Sequence, residues 1–396
     1  NKVSLAFGDE IWQEIDIDNK CVIEITINEV PKELKPVYLN GNKRFTYIRM
    51  ADGDFLADEN RIFAFELDAS KVRFDSRPNN INVIFEDLNK DTLSKYRNRF
   101  NQVNKDNSFI DLSNEDFFFS IGALKRNSEN KIVPTNAAIL LFGSYLMIKE
   151  IFPNFNLDYQ ENVTKSSRWD YRYEASSLSW SGNVFDFITN VMAKLMPYLP
   201  NKFKIGDDYE DVGDKLALEI VREGIANAIN NCDYFLPTGV YIKYEDNHLK
   251  IRNAGRMRVP LNQALRGGVS DPRNEGLMNL LHLIRIGDKG GLGIPNMINR
   301  ARELNIPDPT FTESFSPEIT TLNISFIELT KENFNSDYRS KIMIYLKENR
   351  EASVSEIAQN IKVNRSTVSV ILSQLAKEGT VINNGLLTKG KKYKLA

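Results

Sequence analysis

Cysteine is nearly absent. Cys21 and Cys232 are the only two in 396 residues and lie far apart, which leaves no disulfide framework and no metal-ligand spacing. A reducing cytoplasm is the expected location. Histidine is as scarce: His248 falls in a turn-like stretch and His282 inside the apolar run Leu280–Ile284, where a packed core side chain is expected. Two histidines supply neither a zinc ligand set nor a plausible phosphoacceptor. Apolar runs such as Ala137–Phe142 are far shorter than the roughly 20 residues of a membrane helix, and nothing at the N-terminus resembles a signal peptide. The pattern Gly-x-x-x-x-Gly-Lys-Ser/Thr does not occur, which excludes the P-loop of a helicase motor. Charge of one sign is lacking as well: 51 Lys and Arg against 53 Asp and Glu give a net charge of -2, so any nucleic-acid surface must be local. What is present, 42% hydrophobic and 26% charged residues, suits a soluble protein of two to four globular domains. The chain opens on Asn1 and runs straight into strand-like sequence, so an upstream portion is expected to be missing.

Three short pieces stand out in chain order. In Glu223-Gly224-Ile225-Ala226-Asn227-Ala228, the four-residue spacing puts the Glu223 carboxylate and the Asn227 amide on one helical face. A carboxylate there can hold a water while the amide oxygen meets a magnesium ion. Asn253-Ala254-Gly255 follows two strand-like runs, Val240–Tyr244 and Leu249–Ile251, joined by a turn-like Glu245–His248. A polar side chain at a strand end beside a glycine suits a flat base edge. Gly291-Leu292-Gly293-Ile294 opens a predicted helix with glycines, whose bare amides can approach phosphates at its positive end. Taken singly, each piece also fits an ordinary amphipathic helix or a mobile surface loop.

In this order the pieces resemble the GHKL ATPase superfamily of gyrase, Hsp90, histidine kinases and MutL. With Arg222, Asp233-Tyr234, Pro272-Arg273-Asn274 and Pro295 added, the chain looks like the bacterial transcriptional-regulator family that carries a divergent GHKL domain and is often described as RecG-like helicases. The resemblance implies a Schlafen-type AlbA domain, a connecting region, a GHKL domain and a C-terminal winged helix. It implies ATP and magnesium as ligands, with Glu223 as general base and Asn227 completing the magnesium shell. Asn253 and Gly255 would meet the base. Lys289, Gly291 and Gly293 would form the phosphate lid. Asn253 stands where the superfamily usually has an aspartate, and since an amide both donates and accepts, adenine and guanine stay open. The family phrase "NAlvHRDY" reads Asn227-Ala228-Ile229-Asn230-Asn231-Cys232-Asp233-Tyr234 here. Its His and Arg are lost, so a magnesium-dependent ATPase activity is expected to be slow or absent.

Upstream, Cys21–Ile27 alternates apolar and polar residues, so one face is expected to be buried. Lys35–Leu39 and Thr46–Arg49 resemble the strands that close an AlbA domain, of which only the second half would be visible. The usual Gly-Ser-Ser is replaced by Met50-Ala51-Asp52-Gly53, and no nuclease site can be carried over. Asp91 before Leu93, Tyr96, Phe100 and Val103 predicts a helix capped by a carboxylate. Pro134–Gly143 resembles a family connector without catalytic role. Val163–Glu174, with Arg168, Trp169 and Arg172, reads as an exposed loop in which arginine and aromatics could stack on bases.

The last sixty residues are set apart by charge: from Asp337 onward there are eleven Lys and Arg against five Asp and Glu, which makes polyanion contact plausible there. Ile342 to Leu346 and Ser355–Ile361 predict two helices. After a turn at Lys362–Asn364 comes a third over Arg365–Leu375, with Val368, Ile371, Leu372 and Leu375 facing inward. Asn364, Arg365, Ser366, Thr367 and Ser369 are then free to meet a major groove. This resembles the winged helix-turn-helix of bacterial regulators, with Gly379–Leu395 as the wing and Lys389, Lys391, Lys392 and Lys394 on phosphate.

The expected architecture is therefore multidomain α/β (α+β). Residues 1-80 form the C-terminal part of a Schlafen-type AlbA domain and 81-180 a mixed α/β connecting region. Residues 181-330 form a GHKL (Bergerat) α/β sandwich and 337-396 a winged helix-turn-helix. The expected function is an ATP-binding transcriptional regulator that reads double-stranded DNA as a homodimer, without membrane contact. The alternative is a nucleic-acid-processing or phage-defence enzyme in which a nuclease-like AlbA domain is gated by the GHKL domain.

Overall fold

The structure is a computed structural model that describes residues 12–17, 20–25, 30–50, 53–164, 168–200, 213–329, 331–361, 363, 365–385 and 391–396. It falls into two units. One comprises residues 1–304 and 308–326, the other residues 305–307 and 327–396.

The first unit begins with two antiparallel hairpins, β1 (Trp12–Ile17) with β2 (Lys20–Ile25), and β3 (Tyr47–Met50) with β4 (Gly53–Leu56). All six side chains of β2 are exposed. The buried face expected from its alternation is therefore not found, because among the described residues β2 pairs only with β1. Helix α1 (Glu59–Ala69) is capped by Asp58, whose carboxylate accepts from the Arg61 amide. Next come α2 (Lys90–Val103), α3 (Asn114–Ser120), the hairpin β5 (Leu124–Arg126) with β6 (Ile132–Pro134), α4 (Asn136–Phe142) and α5 (Tyr145–Ile151). Asn89, not Asp91, caps α2: its side chain accepts from the Thr92 amide, and Asp91 lies in the first turn. Every residue of α4 is buried, as expected of a helix apolar all round. Tyr96 and Phe118 pack edge to face on its Phe142 and tilted against each other.

β7 (Leu157–Asn162) and β8 (Tyr171–Glu174) lead to α6 (Val184–Leu195) and α7 (Gly213–Asn231). The hairpin β9 (Val240–Glu245) and β10 (His248–Ala254) follows, then α8 (Leu261–Arg266), α9 (Glu275–Leu283), α10 (Gly293–Glu303), β11 (Thr310–Phe315) and β12 (Glu318–Ser325). Six strands form one sheet in the order β11-β12-β10-β9-β7-β8. Only the β7–β9 pair is parallel. The boundary expected at residue 180 thus falls within a single structural layer, since β7 and β8 extend the sheet of the downstream hairpins. The loop expected over Val163–Glu174 ends in strand β8, where Arg172 is tied by two hydrogen bonds to Asp158 (3.0 and 2.9 Å).

Helix α7 buries Ala217, Ile220, Val221, Ile225, Ala228 and Ile229 and packs on β10, α6, α9 and α10. Gly224 permits that approach: a Cβ there would stand 2.9 Å from Leu322 Cδ2 and 3.1 Å from Ile251 Cδ1, closer than carbon atoms pack.

The second unit holds α11 (Lys331–Asn349), α12 (Val354–Asn360), α13 (Arg365–Lys377) and the hairpin β13 (Val381–Asn383) with β14 (Tyr393–Leu395). A capping box opens α12: the Ser353 amide donates to Glu356 (2.7 Å) and the Glu356 amide to Ser353 Oγ (3.3 Å). Ile342, Leu346, Ile357, Val368, Ile371, Leu372, Leu375, Val381 and Tyr393 form its core.

Candidate functional site

Elements distant in sequence converge where α7 covers the sheet. A cavity of about 100 Å3 is lined by Glu223, Gly224 and Asn227 from α7, by Ile251 and Asn253 from β10, and by Gly291, Gly293 and Ile294 at the start of α10. Met257, Val259, Met278, Phe311 and Leu322 add apolar walls. A mostly apolar cavity with a few convergent polar groups is the usual form of a small-molecule site. Of the residues singled out from sequence, Glu223, Asn227, Asn253, Gly291 and Gly293 line it together. Gly255 lies just past β10 with φ +91°, against Asp233 and Arg273 rather than the cavity. Lys289 is exposed and outside the lining.

The polar side chains are held in place. Asn227 Nδ2 donates to Glu223 Oε1 (3.2 Å), which leaves Asn227 Oδ1 as an acceptor. Asn253 is buried and its Nδ2 donates to the Ala254 carbonyl (3.0 Å). Its register partner on β12 is Thr320, also in the lining, whose Oγ1 donates to the Gly255 carbonyl (2.9 Å). Burial pushes the Glu223 carboxyl above the ordinary carboxylate range, and Asp288 adds to it. The Asp288 amide, Arg222 and Arg300 oppose the shift. A carboxyl raised by burial beside a cleft is a general-base candidate on physical grounds.

The glycines at the start of α10 are required by contact. A Cβ on Gly293 would collide with the Glu223 carboxylate. Gly291 has φ +66°, and a Cβ on it would stand 2.5 Å from the Val269 carbonyl oxygen. The segment therefore lies on Val269 and on Glu223 at once. The Gly268 amide donates to the Gly291 carbonyl (3.2 Å) and fastens it further.

The remaining sequence pieces serve as framework. Asn274 Nδ2 donates to the carbonyls of Ile229 (3.2 Å) and Cys232 (2.8 Å), satisfying the end of α7. Arg273 bonds Asp68 (2.7 Å) and faces Asp233 at 3.6 Å. Arg258 joins the network through Asp68 and Asp271, and Arg73 pairs with Asp271. The network carries charge from α1 to the cavity wall, because Arg258 and Asp271 both line it. Sequence reasoning missed Thr320, Asp288, Arg258 and Asp271. Only the alternation of β12 could have marked Thr320. His282, expected in the core, is exposed, with Nδ1 3.4 Å from the Gly287 carbonyl: α9 turns Leu277, Leu280 and Leu281 inward instead.

In the second unit Val368, Ile371, Leu372 and Leu375 of α13 face the core, and Arg365 and Ser369 are exposed. Ser366 and Thr367 lie in α13, but their side chains, like all of Asn364 and Lys389, fall outside the described residues. Lys391 stands over the Tyr393 ring, 5.3 Å from its centroid, and Lys392 pairs with Glu351 (2.8 Å).

Three family matches fall on the chain. Residues 65–158 match a domain of unknown function. Residues 238–320 match the family described as putative ATP-dependent DNA helicase recG C-terminal, which covers β9 to the start of β12. Residues 336–382 match the bacterial regulatory protein, arsR family, which covers most of α11 through the start of β13. No curated protein matches the sequence. The solved structure of the DIP2311 protein from Corynebacterium diphtheriae is similar in fold, with a TM-score of 0.51 and 14% identity over 97% of this chain and 80% of that one. A RecG-C-terminal-like domain and a C-terminal ArsR-type helix-turn-helix are thus present, in a mixed α/β, multidomain chain. No helix among the described residues is long and apolar enough to cross a membrane.

Proposed function

We propose that this protein is a transcriptional regulator whose GHKL-type site binds magnesium-ATP and thereby modulates a winged-helix reader of duplex DNA. The observation that carries the proposal is the meeting of Glu223, Asn227, Asn253, Gly291 and Gly293 around one cavity. These residues span three separate sequence pieces, which an ordinary amphipathic helix or surface loop would have no reason to bring together. The two C-terminal family matches support the same pairing of nucleotide and DNA.

In this reading the base lies among Ile251, Met257 and Phe311, with Asn253 and Thr320 at its edge. Asn227 Oδ1 is one oxygen ligand for magnesium, which keeps few protein ligands; the ion would neutralise phosphate charge. Glu223 orients water and accepts its proton, and the amides at the start of α10 meet phosphate. Nucleotide would order the Lys289–Gly293 lid and bias the presentation of Arg365, Ser369 and the wing lysines. Two copies would address two half-sites of bacterial DNA in the cytoplasm, as such readers do.

The test is fluorescence anisotropy of a labelled duplex library with the full chain, with and without magnesium-ATP. The proposal expects duplex binding whose affinity or sequence preference changes with nucleotide. Identical curves under both conditions would contradict it.

A further inference from the structure

A second cavity, of about 350 Å3, adjoins the first, and Glu223 and Asp288 line both. Its chemistry differs from its neighbour's. Where the first is walled by apolar side chains, the second is lined by three arginines, Arg222, Arg285 and Arg300, with Glu219 as the further carboxylate.

The three cations are not equivalent. Arg285 Nη2 donates to the Val103 carbonyl (3.2 Å), and Arg300 is ion-paired with Glu219. Arg222 faces the same Glu219 at 3.8 Å, beyond hydrogen-bond length, and no other ion pair reaches it among the described residues. Its side chain is only 30% exposed. Burial pulls its pKa below the usual arginine value, and Arg300 and Arg99 add to the effect. A half-buried guanidinium with its donors unspent, beside further cations, is a site for a multiply charged anion. The planar fork of arginine matches phosphate oxygens.

We propose that this polar cavity is the terminal-phosphate subsite of the nucleotide site, with Arg222 as the residue that tells a nucleoside triphosphate from a diphosphate. The inference rests on the nucleotide reading above. The two cavities meet at Glu223, one helical turn before Asn227 on α7. A ligand whose base lies on the apolar walls and whose phosphates follow α7 past Asn227 therefore delivers its last phosphate to Arg222. The Arg300–Glu219 pair positions Arg222 by engaging the carboxylate nearest to it on α7, while Glu223, which also draws on Arg222, faces both cavities. A switch built this way reads the presence of the third phosphate directly.

The experiment is calorimetric titration of the full chain with magnesium-ATP and magnesium-ADP, in the parent, Arg222→Gln, Arg222→Lys and Arg300→Gln, with thermal melting to verify folding. A charge-assisted contact to phosphate is worth about tenfold or more in affinity. The parent is expected to prefer ATP by that factor. Arg222→Gln should erase the preference while leaving ADP affinity unchanged, and Arg222→Lys should restore part of it. Arg300→Gln should weaken the preference less, and it carries the test should Arg222→Gln fail to fold. Equal affinity of the parent for both nucleotides, or an Arg222→Gln variant that loses ATP and ADP alike, overturns the subsite while leaving the nucleotide pocket standing. A parent that binds neither nucleotide overturns the pocket itself and the subsite with it.

Discussion

The cavity under α7 and the helix-turn-helix solve opposite problems with the same kind of chain. In the cavity the chemistry-bearing groups are inside: Glu223 and Asn253 are buried, and their partners come from helices and strands up to a hundred residues apart in sequence. In the helix-turn-helix they are outside: Arg365 and Ser369 project from a helix whose other face supplies the core. The cavity ties function to packing, so a change at the site disturbs the fold that makes it. The reader separates the two, so its surface can change while its core stands.

The largest effect expected from this contrast is at Leu372. It is fully buried in the second unit, and Leu372→Ala should cost about 2–5 kcal/mol. Chemical denaturation should show that loss together with lost duplex binding, and titration with magnesium-ATP should be unchanged. A simultaneous loss of ATP binding would break the proposed separation.

Asp75 sharpens the cavity side. It is buried and accepts the Leu277 amide (2.7 Å) and the Gly276 amide at the start of α9. Burial raises its carboxyl from the ordinary 3.8 to about 6. The folded state therefore holds the proton more tightly than the unfolded chain. The stability this contributes is fully present below about pH 4 and is lost as pH rises through about 6, a difference on the order of 3 kcal/mol. Asp75→Asn keeps an acceptor for both amides and should flatten that part of the stability profile. An unchanged slope in urea titrations between about pH 4 and pH 6.5 would show the carboxyl is not the source.

Gly291→Ala comes next. A positive-φ alanine facing the Val269 backbone should cost about 2 kcal/mol locally. It should show as weaker magnesium-ATP binding, with duplex affinity in the absence of nucleotide unaltered. The smallest stability effect belongs to Arg365→Ala: within about 0.5 kcal/mol, as for exposed positions generally, yet with duplex affinity reduced roughly tenfold if the residue meets a base or phosphate. Equal loss in melting temperature and in duplex binding would place Arg365 in the fold rather than at the interface.

Sequence legibility follows the same divide. The helix-turn-helix is local: period-3.6 spacing put Val368, Ile371, Leu372 and Leu375 on one face, and the structure keeps them there. Short-range spacing also placed Glu223 beside Asn227. What could not be read was pairing across long separations. β8 pairs antiparallel with β7, Thr320 stands opposite Asn253 by sheet register, and Asp68 reaches Arg258 and Arg273 across about two hundred residues. His282 shows a different limit: an apolar neighbourhood in sequence says nothing of which side of a helix faces out. The hairpin β1–β2 shows a third, since alternation marks a strand but not whether a layer covers it.

The central claim is that the α7–β10–α10 cavity holds a nucleotide, and titration of the full chain with magnesium-ATP tests it most directly, with Asn227→Ala and Asn253→Ala alongside. The account predicts a single saturable site in the parent that both substitutions weaken without loss of melting temperature. A folded parent that releases or absorbs no heat and shows no nucleotide-induced rise in melting temperature would contradict it.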